Sequence, residues 1–286
     1  MLRRSATALL PMLVLTLLIT ACGAGGPSKE DHLAAGIELQ AQGLLKEAIL
    51  EYDQAIGLNL SYGEGYTNRS GVYLELGRPQ LAITDANKAI ELDPENALAY
   101  ANRGGAYARN VQLEEAITDL NKAIKLNPDI QSAYSNRGGV YAMFGQYEDA
   151  LVDLTRSVQM APTHVSSRLN RAGVNYELGY IEAAFADYND VIRLDPNNAS
   201  AYASRGYSYW DQGDPETAIL NLDRAIKLDP DLSSAYANRA LAYCSLGRDT
   251  ECREDIDKAY TLGINREELE KSIAGLTEGN EPDPDS

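Results

Sequence analysis

The sequence predicts an all-α fold, a solenoid of about seven helix–turn–helix repeats of 34 residues. Three observations carry the prediction. Asn-Arg returns on a 34-residue spacing as Asn68-Arg69, Asn102-Arg103, Asn136-Arg137 and Asn170-Arg171, and once more as Asn238-Arg239. Proline returns on the same spacing at Pro94, Pro128, Pro162, Pro196 and Pro230. Units such as Ala97 to Ile130 carry their Tyr in the first half and repeat Ala in the second, as at Ala116 and Ala123. Such a chain grows by stacking and needs no single core, so its 286 residues do not imply two ordinary domains.

The chain begins with a segment of another kind. Arg3 and Arg4 precede an apolar run from Ala6 to Ala21, interrupted once by Pro11. A basic start, an apolar middle and a small-residue end make a secretory signal. The run is shorter than the ~20 residues that a membrane-spanning helix needs. It closes on Leu18-Ile19-Thr20-Ala21-Cys22, an aliphatic residue three before the cysteine and small residues next. That ending resembles the lipobox of bacterial lipoproteins. The resemblance implies that residues 1–21 are removed, that Cys22 carries a lipid thioether, and that the protein faces outside the cytoplasm on a bacterial cell membrane. Gly23 stands where that family's inner-membrane retention signal has Asp, so an outer membrane is open to it where the organism has one. Residues 22–28 then form a Gly-rich tether with a reach of roughly 14 Å.

Seven repeats follow, at 29–62, 63–96, 97–130, 131–164, 165–198, 199–232 and 233–266. The eighth residue of each is small, as at Gly36, Ser70, Gly104 and Gly206. The twentieth is Ala from Ala48 to Ala218 and becomes Cys252 in the last repeat. Small residues at both places let the two helices of a repeat approach closely. Tyrosines at the fourth and eleventh positions, such as Tyr66 with Tyr73 and Tyr100 with Tyr107, read as core that fills the space between repeats. Ile90, Ile124, Val158, Ile192 and Ile226 complete the buried face of the second helix. Proline then ends that helix, since it lacks an N–H and holds the preceding residue out of the helical region. These spacings resemble the tetratricopeptide repeat family over roughly residues 29–266. The resemblance implies a right-handed superhelical solenoid whose first helices face a concave groove. The ends depart from the pattern, as capping repeats do. The first repeat has His32 for Tyr and Leu60 for Pro, and it lacks Asn-Arg. Residues 267–276 resemble the extra capping helix of the family, with Leu269, Ile273 and Leu276 on one face. Residues 277–286 are acidic and Pro-bearing and are expected to be disordered.

Each Arg at the seventh position of a repeat has an acid or amide sixteen residues on. The pairs are Arg69 with Asp85, Arg103 with Asp119, Arg137 with Asp153, Arg171 with Asp187, Arg205 with Asn221 and Arg239 with Asp255. They read as partly buried ion pairs that support the stack. The Asn before each Arg has another possible use. In some members of the family, asparagines at this place hydrogen-bond the backbone of an extended peptide. The resemblance carries that role onto Asn68, Asn102, Asn136, Asn170 and Asn238, with Ser204 breaking the column. An amide offers both donors and an acceptor to a peptide unit. It serves equally well for a local bond inside the repeat, and both readings stand. Small groove residues such as Gly71, Ala101, Gly105, Ser135 and Gly139 leave room for a ligand chain. Tyr176, Tyr207 and Trp210, with Met143 just before them, form either an anchor for an apolar side chain or a plug where Tyr176 is displaced by one place. The family's carboxylate clamp uses Lys and Arg in the groove. Arg109 is the one cation at such a place, which argues against an acidic C-terminal ligand.

Composition excludes several classes. The chain has 42 Asp and Glu against 25 Lys and Arg, a net charge of −17 that becomes −19 without Arg3 and Arg4. Nucleic acid demands the opposite sign. Anionic lipid repels such a surface, so membrane contact is expected through the lipid anchor only. Two His and three Cys offer little for a metal site. No phosphate loop, nucleophile elbow or His-Glu metal motif occurs, so no catalytic residue, metal or cofactor is expected. His32 reads as packing and His164 as a loop residue. Cys244 and Cys252 lie on the two helices of one repeat. An extracytoplasmic place permits a disulfide between them, while the tight Ala place of Cys252 and the groove-side place of Cys244 argue against one, and the pairing stays open. The reading that fits is a membrane-anchored, extracytoplasmic interaction scaffold or adaptor that binds a protein or extended peptide. The alternative is a receptor for a small molecule or glycan on the Tyr176, Tyr207 and Trp210 surface. Capped ends argue against open end-to-end stacking; a monomer is expected, with a dimer still open.

Overall fold

The computed structural model describes residues 26–278. The signal segment, Cys22 and residues 279–286 lie outside the described residues. Among the described residues there are fifteen helices and no strand. They fall into two compact units, residues 1–145 and 146–286. The first unit holds α1 (Lys29–Ala41), α2 (Leu45–Leu58), α3 (Gly63–Glu75), α4 (Pro79–Leu92), α5 (Ala97–Arg109), α6 (Leu113–Leu126) and α7 (Gln131–Met143). The second holds α8 (Tyr147–Met160), α9 (Val165–Glu177), α10 (Ile181–Leu194), α11 (Ala199–Asp211), α12 (Pro215–Leu228), α13 (Ser233–Ser245), α14 (Asp249–Thr261) and α15 (Arg266–Glu278). Within each unit, neighbours in sequence pack together, and each first helix also packs on the next first helix. The first helices therefore form one continuous layer in each unit. The capping helix runs from Arg266 to Glu278, wider at both ends than the expected 267–276. No helix among the described residues is long and apolar enough to cross a membrane.

The hairpin turn repeats as faithfully as the helices. In the second repeat, Gly77 donates to the carbonyl of Leu74 at 3.0 Å, and Arg78 donates to that of Tyr73 at 2.8 Å. This pair of bonds is a Schellman cap, which needs a left-handed residue at the turn. Gly77 supplies it with φ 67°. In the third repeat the same place falls to Val111, with φ 59°. A β-branched residue is strained there.

Helix pairing inside a repeat brings the small eighth residue against the backbone of the twentieth, where a Cβ on Gly104 would lie 3.2 Å from the Ala116 carbonyl oxygen, and adds a partner the sequence reading missed. The eighth residue faces the twenty-fourth. A Cβ on Gly104 would lie 2.7 Å from Leu120 Cγ, and one on Gly206 would lie 2.8 Å from Leu222 Cγ. Leu120 and Leu222 are fully buried by that approach. Leu269 of α15 is buried in the cluster that contains Cys252 and Ile256, and Ile273 packs against it. The last hairpin is thereby covered.

Candidate functional site

The Arg of each repeat builds a spine rather than a binding site. Arg69 donates through Nε and Nη2 to the two oxygens of Asp85 at 2.7 and 2.8 Å. Arg103 does the same to Asp119 at 2.6 and 2.8 Å, and Arg239 to Asp255 at 2.7 and 2.8 Å. Arg171 grips Asp187, and Arg205 donates to Asn221 at 2.9 Å. Asp153 is buried, like Asp85, Asp119, Asp187 and Asp255. A further partner escaped the sequence reading. The Nη1 of Arg103 reaches Asn87 in the preceding second helix at 2.7 Å, and that of Arg137 reaches Asn121 at 2.6 Å. Arg69 bonds Asp53, Arg205 bonds Asn189 and Arg239 bonds Asp223 in the same way. The signal was present in the sequence as an acid or amide sixteen residues before each of these Arg; Arg171, with Thr155 at that place, is the exception. One guanidinium thus joins the two helices of its own repeat to the second helix of the one before.

The tyrosines expected in the core belong to this spine. Tyr66, Tyr73, Tyr100 and Tyr107 are only half-buried. The Arg69 guanidinium carbon lies 5.6 and 5.9 Å from the ring centres of Tyr66 and Tyr73, and that of Arg103 lies 5.4 and 5.9 Å from those of Tyr100 and Tyr107. These are cation–π distances. Burial works against the Arg69 charge, but its bonds to Asp85 prevail and hold its pKa above the ordinary value. The fifth repeat is built differently. Arg168 and Asn175 replace its tyrosines, and both join Arg171 around Asp187. In the first repeat, His32 pairs with Glu51 at 2.7 Å, so it does more than pack. His164 is the N-cap of α9, its Nδ1 3.3 Å from the Ser167 amide.

The Asn column is put to internal use in the first unit. Asn68 donates to the Glu64 carbonyl of its own helix at 2.8 Å. Asn102 donates to the Thr67 carbonyl at 3.0 Å and to Ser70 Oγ at 2.9 Å on the preceding first helix. A Cβ on Gly71 would lie 3.5 Å from Asn102 Nδ2, and one on Gly105 would lie 2.6 Å from Asn136 Nδ2. Gly105 therefore makes room for the next repeat's Asn, and Gly71 lies against Asn102 at ordinary contact distance, so the space beside both is taken by an Asn and not left for a ligand chain; Ala101 is fully buried. Arg109 donates to the Leu74 carbonyl at 2.7 Å and so satisfies the end of α3. Met143 is exposed at the end of α7.

The second unit breaks this arrangement. Gly173 of α9 stands where Gly71 and Gly105 stand, but the facing residue of α11 is Ser204 instead of Asn. Nothing lies within 4 Å of a Cβ built on Gly173. The place of the missing amide opens into a wider, open-sided cavity of about 410 Å³, lined by Tyr176, Glu177, Ser204, Tyr207 and Asn238 among others. Tyr176 is fixed at its edge. Its hydroxyl donates to Asp211 at 2.6 Å and accepts from Gln212 at 3.1 Å. Burial and the neighbouring Asp211 carboxylate push its pKa up to about 12. Tyr207 is partly exposed, with its ring centre 5.5 Å from that of Trp210 at a tilt of 43°. Trp210 packs against the last core cluster. Asn170 is exposed on α9, and Asn238 faces the cavity. The two remaining cysteines do meet: Cys244 and Cys252 form a disulfide with Cα atoms 5.3 Å apart. The argument against pairing from their places fails because Cys244 lies in the last turn of α13, next to the hairpin that brings Cys252 back.

Helix hairpins stacked on a fixed period, with a layer of first helices held by an arginine spine, define a helical-repeat protein that offers a surface for contact. The chain belongs to the tetratricopeptide repeat family. A family model described as TPR repeat matches residues 174–213 and 206–247, and one described as tetratricopeptide repeat matches 33–97, 72–129 and 112–165. Proteins of this family generally mediate protein–protein interactions, and the fold is typically a non-catalytic scaffold. No curated protein matches the chain. Among solved structures, it is similar to a chain of the APC/C hetero-tetramer Cut9–Hcn1, with TM-score 0.72 and 16% identity over 83% of this chain. The chain spans 46% of the length of that protein. A tetratricopeptide repeat protein from Parabacteroides merdae ATCC 43184 gives TM-score 0.60 and 21% identity over 87% of this chain and 98% of its own. PilF of Pseudomonas aeruginosa gives TM-score 0.58 and 20% identity over 72% and 94%. At these identities the likeness is one of fold.

Proposed function

We propose that the chain is a membrane-anchored scaffold or adaptor, acting outside the cytoplasm, which holds an extended polypeptide on the first-helix layer of its second unit. The carrying observation is the cavity of about 410 Å³ opened where Ser204 interrupts the Asn column. Its volume suits a side chain or short ligand segment. Tyr207 beside it is the kind of residue that dominates interface energetics. Asn238 on its wall keeps the amide chemistry that pairs with a peptide unit. The location rests on Arg3, Arg4 and the run ending at Cys22. The Cys244–Cys252 disulfide supports it, because such bonds persist in oxidising compartments. A glycan platform is less well supported, since the Tyr207 and Trp210 rings are tilted by 43° and Trp210 packs inward.

The test is capture from native membranes, wild type beside Ser204→Asn and Tyr207→Ala. Ser204→Asn installs the residue that five of the other repeats carry, so it places an amide in the part of the cavity beside Gly173 without breaking the fold. A partner held by the wild type and lost by both variants, at unchanged melting temperature, is the expected result. Truncating a hot spot costs about 2 kcal/mol, which is more than tenfold in affinity. A partner retained by both variants would move the binding surface elsewhere.

A further inference from the structure

We infer that the cavity at Ser204 is a subsite for a basic side chain of the bound polypeptide, a guanidinium in particular; this rests on the reading just given. Glu177 lines the cavity, and no Lys, Arg or His does. Asp211 stands at its edge, bonded to Tyr176. Both carboxylates act on the phenols around them. Burial first, then Asp211 and Glu177, raise the pKa of Tyr207, which marks a negative field where its ring faces the cavity. Tyr176 and Tyr207 supply two aromatic walls. Ser204 and Asn238 supply oxygen acceptors that suit N–H donors.

The protein answers the same combination of groups with arginine elsewhere. Arg103 lies over Tyr100 and Tyr107 while bonding the Asp119 carboxylate. Arg239 lies over Tyr236 and Tyr243 while bonding Asp255. A planar guanidinium both stacks on an aromatic face and donates to a carboxylate, which an ammonium does less well. Around Ser204 the tyrosines and the carboxylate are present and the cation is not supplied by the lining. The whole-chain charge of −17 favours a basic partner on approach as well.

The test uses the full chain and three acetylated, amidated pentapeptides, Gly-Gly-X-Gly-Gly, with X as Arg, norleucine or Glu, titrated by calorimetry at low salt. The Arg peptide is expected to bind about tenfold more tightly than the norleucine peptide, with the Glu peptide weakest. Glu177→Gln is expected to erase the Arg preference, and Ser204→Asn to abolish binding of all three. Equal or tighter binding of norleucine, or an Arg preference that survives Glu177→Gln, overturns the basic-side-chain assignment. If norleucine binds and Ser204→Asn blocks it, the polypeptide reading stands while this one falls. If no peptide binds at millimolar concentration and a captured partner ignores Ser204→Asn, both fall.

Discussion

Asp119 shows how much of this fold depends on single side chains. Its carboxylate is 7% exposed and the Arg103 side chain 19%, so neither group relies on water. Removing one member of a buried pair strands the other, at a cost of about 3 kcal/mol. Asp119→Ala is expected to lower unfolding stability by that amount. Asp119→Asn should cost only about 1 kcal/mol, because Arg205 already bonds an amide at Asn221 in the sixth repeat. Chemical denaturation of the two variants checks the ordering, and equal losses would contradict it. Val111 gives the opposite sign. Its left-handed backbone carries about 1 kcal/mol of strain that glycine removes, so Val111→Gly should raise the denaturation midpoint. An unchanged midpoint would mean that the turn relaxes around Val111. His164 adds a pH dependence. Burial pushes its pKa below the ordinary value of about 6.5, so the folded ring stays neutral where the unfolded one protonates. The unfolded chain then binds more protons. The contribution is complete above pH ~6.5 and declines as pH falls below it. His164→Asn keeps a capping oxygen and removes the titration. Its urea midpoint should change less than the wild type's between pH ~7.5 and ~5.5, and parallel curves would exclude His164 as the source.

At the level of helices, the period placed each hairpin, and proline marked the end of those from the second repeat to the sixth. The first helices begin at Lys29, Gly63, Ala97, Gln131, Val165, Ala199 and Ser233 because the same turns and small residues return every 34 residues, while their N-caps vary from Ser28 to Leu232. The site was less legible, for a physical reason. A repeated residue announces that it matters but not which neighbour it meets. Asn102 and Asn136 were legible as a column, yet their amides face the glycines of the preceding helix. The informative position was the exception, Ser204, whose meaning needs the space around Gly173. The pairing of Cys244 with Cys252 stayed open in the sequence because their places were judged helix by helix, while the hairpin turn sets their separation. The bond closes a short loop, eight residues from Cys244 to Cys252. Constraining a loop of that size in the unfolded chain stabilises by about 2–3 kcal/mol. Reductant, or the Cys244→Ser/Cys252→Ser pair, is therefore expected to lower the unfolding midpoint of the second unit. A midpoint indifferent to reductant would show that the bond contributes nothing to α13 and α14.

For the molecule as a whole, the sequence period runs unbroken through Gly145 and gives no sign of the division into two compact units. Charge is the property that acts on the whole chain. An excess of seventeen negative charges repels itself. Salt shortens the reach of that repulsion, since the screening length falls from about 30 Å at 0.01 M to about 8 Å at 0.15 M. The favourable pairs respond less. Asp85, Asp119, Asp187 and Asp255 are all buried, and buried pairs are screened much less than exposed charges. Relief of repulsion outweighs loss of attraction, so the melting temperature should rise by a few degrees between about 0.02 and 0.3 M NaCl. Binding of a basic polypeptide should move the other way, because steering by the same field weakens and the association rate falls. The two signs together separate a field that acts on the whole chain from one confined to the cavity. Thermal melts and stopped-flow association rates over one salt series supply both. A melting temperature that drops with salt would mean that exposed ion pairs, and not the buried spine, hold the stack. An association rate indifferent to salt would mean that the negative surface has no part in drawing its partner.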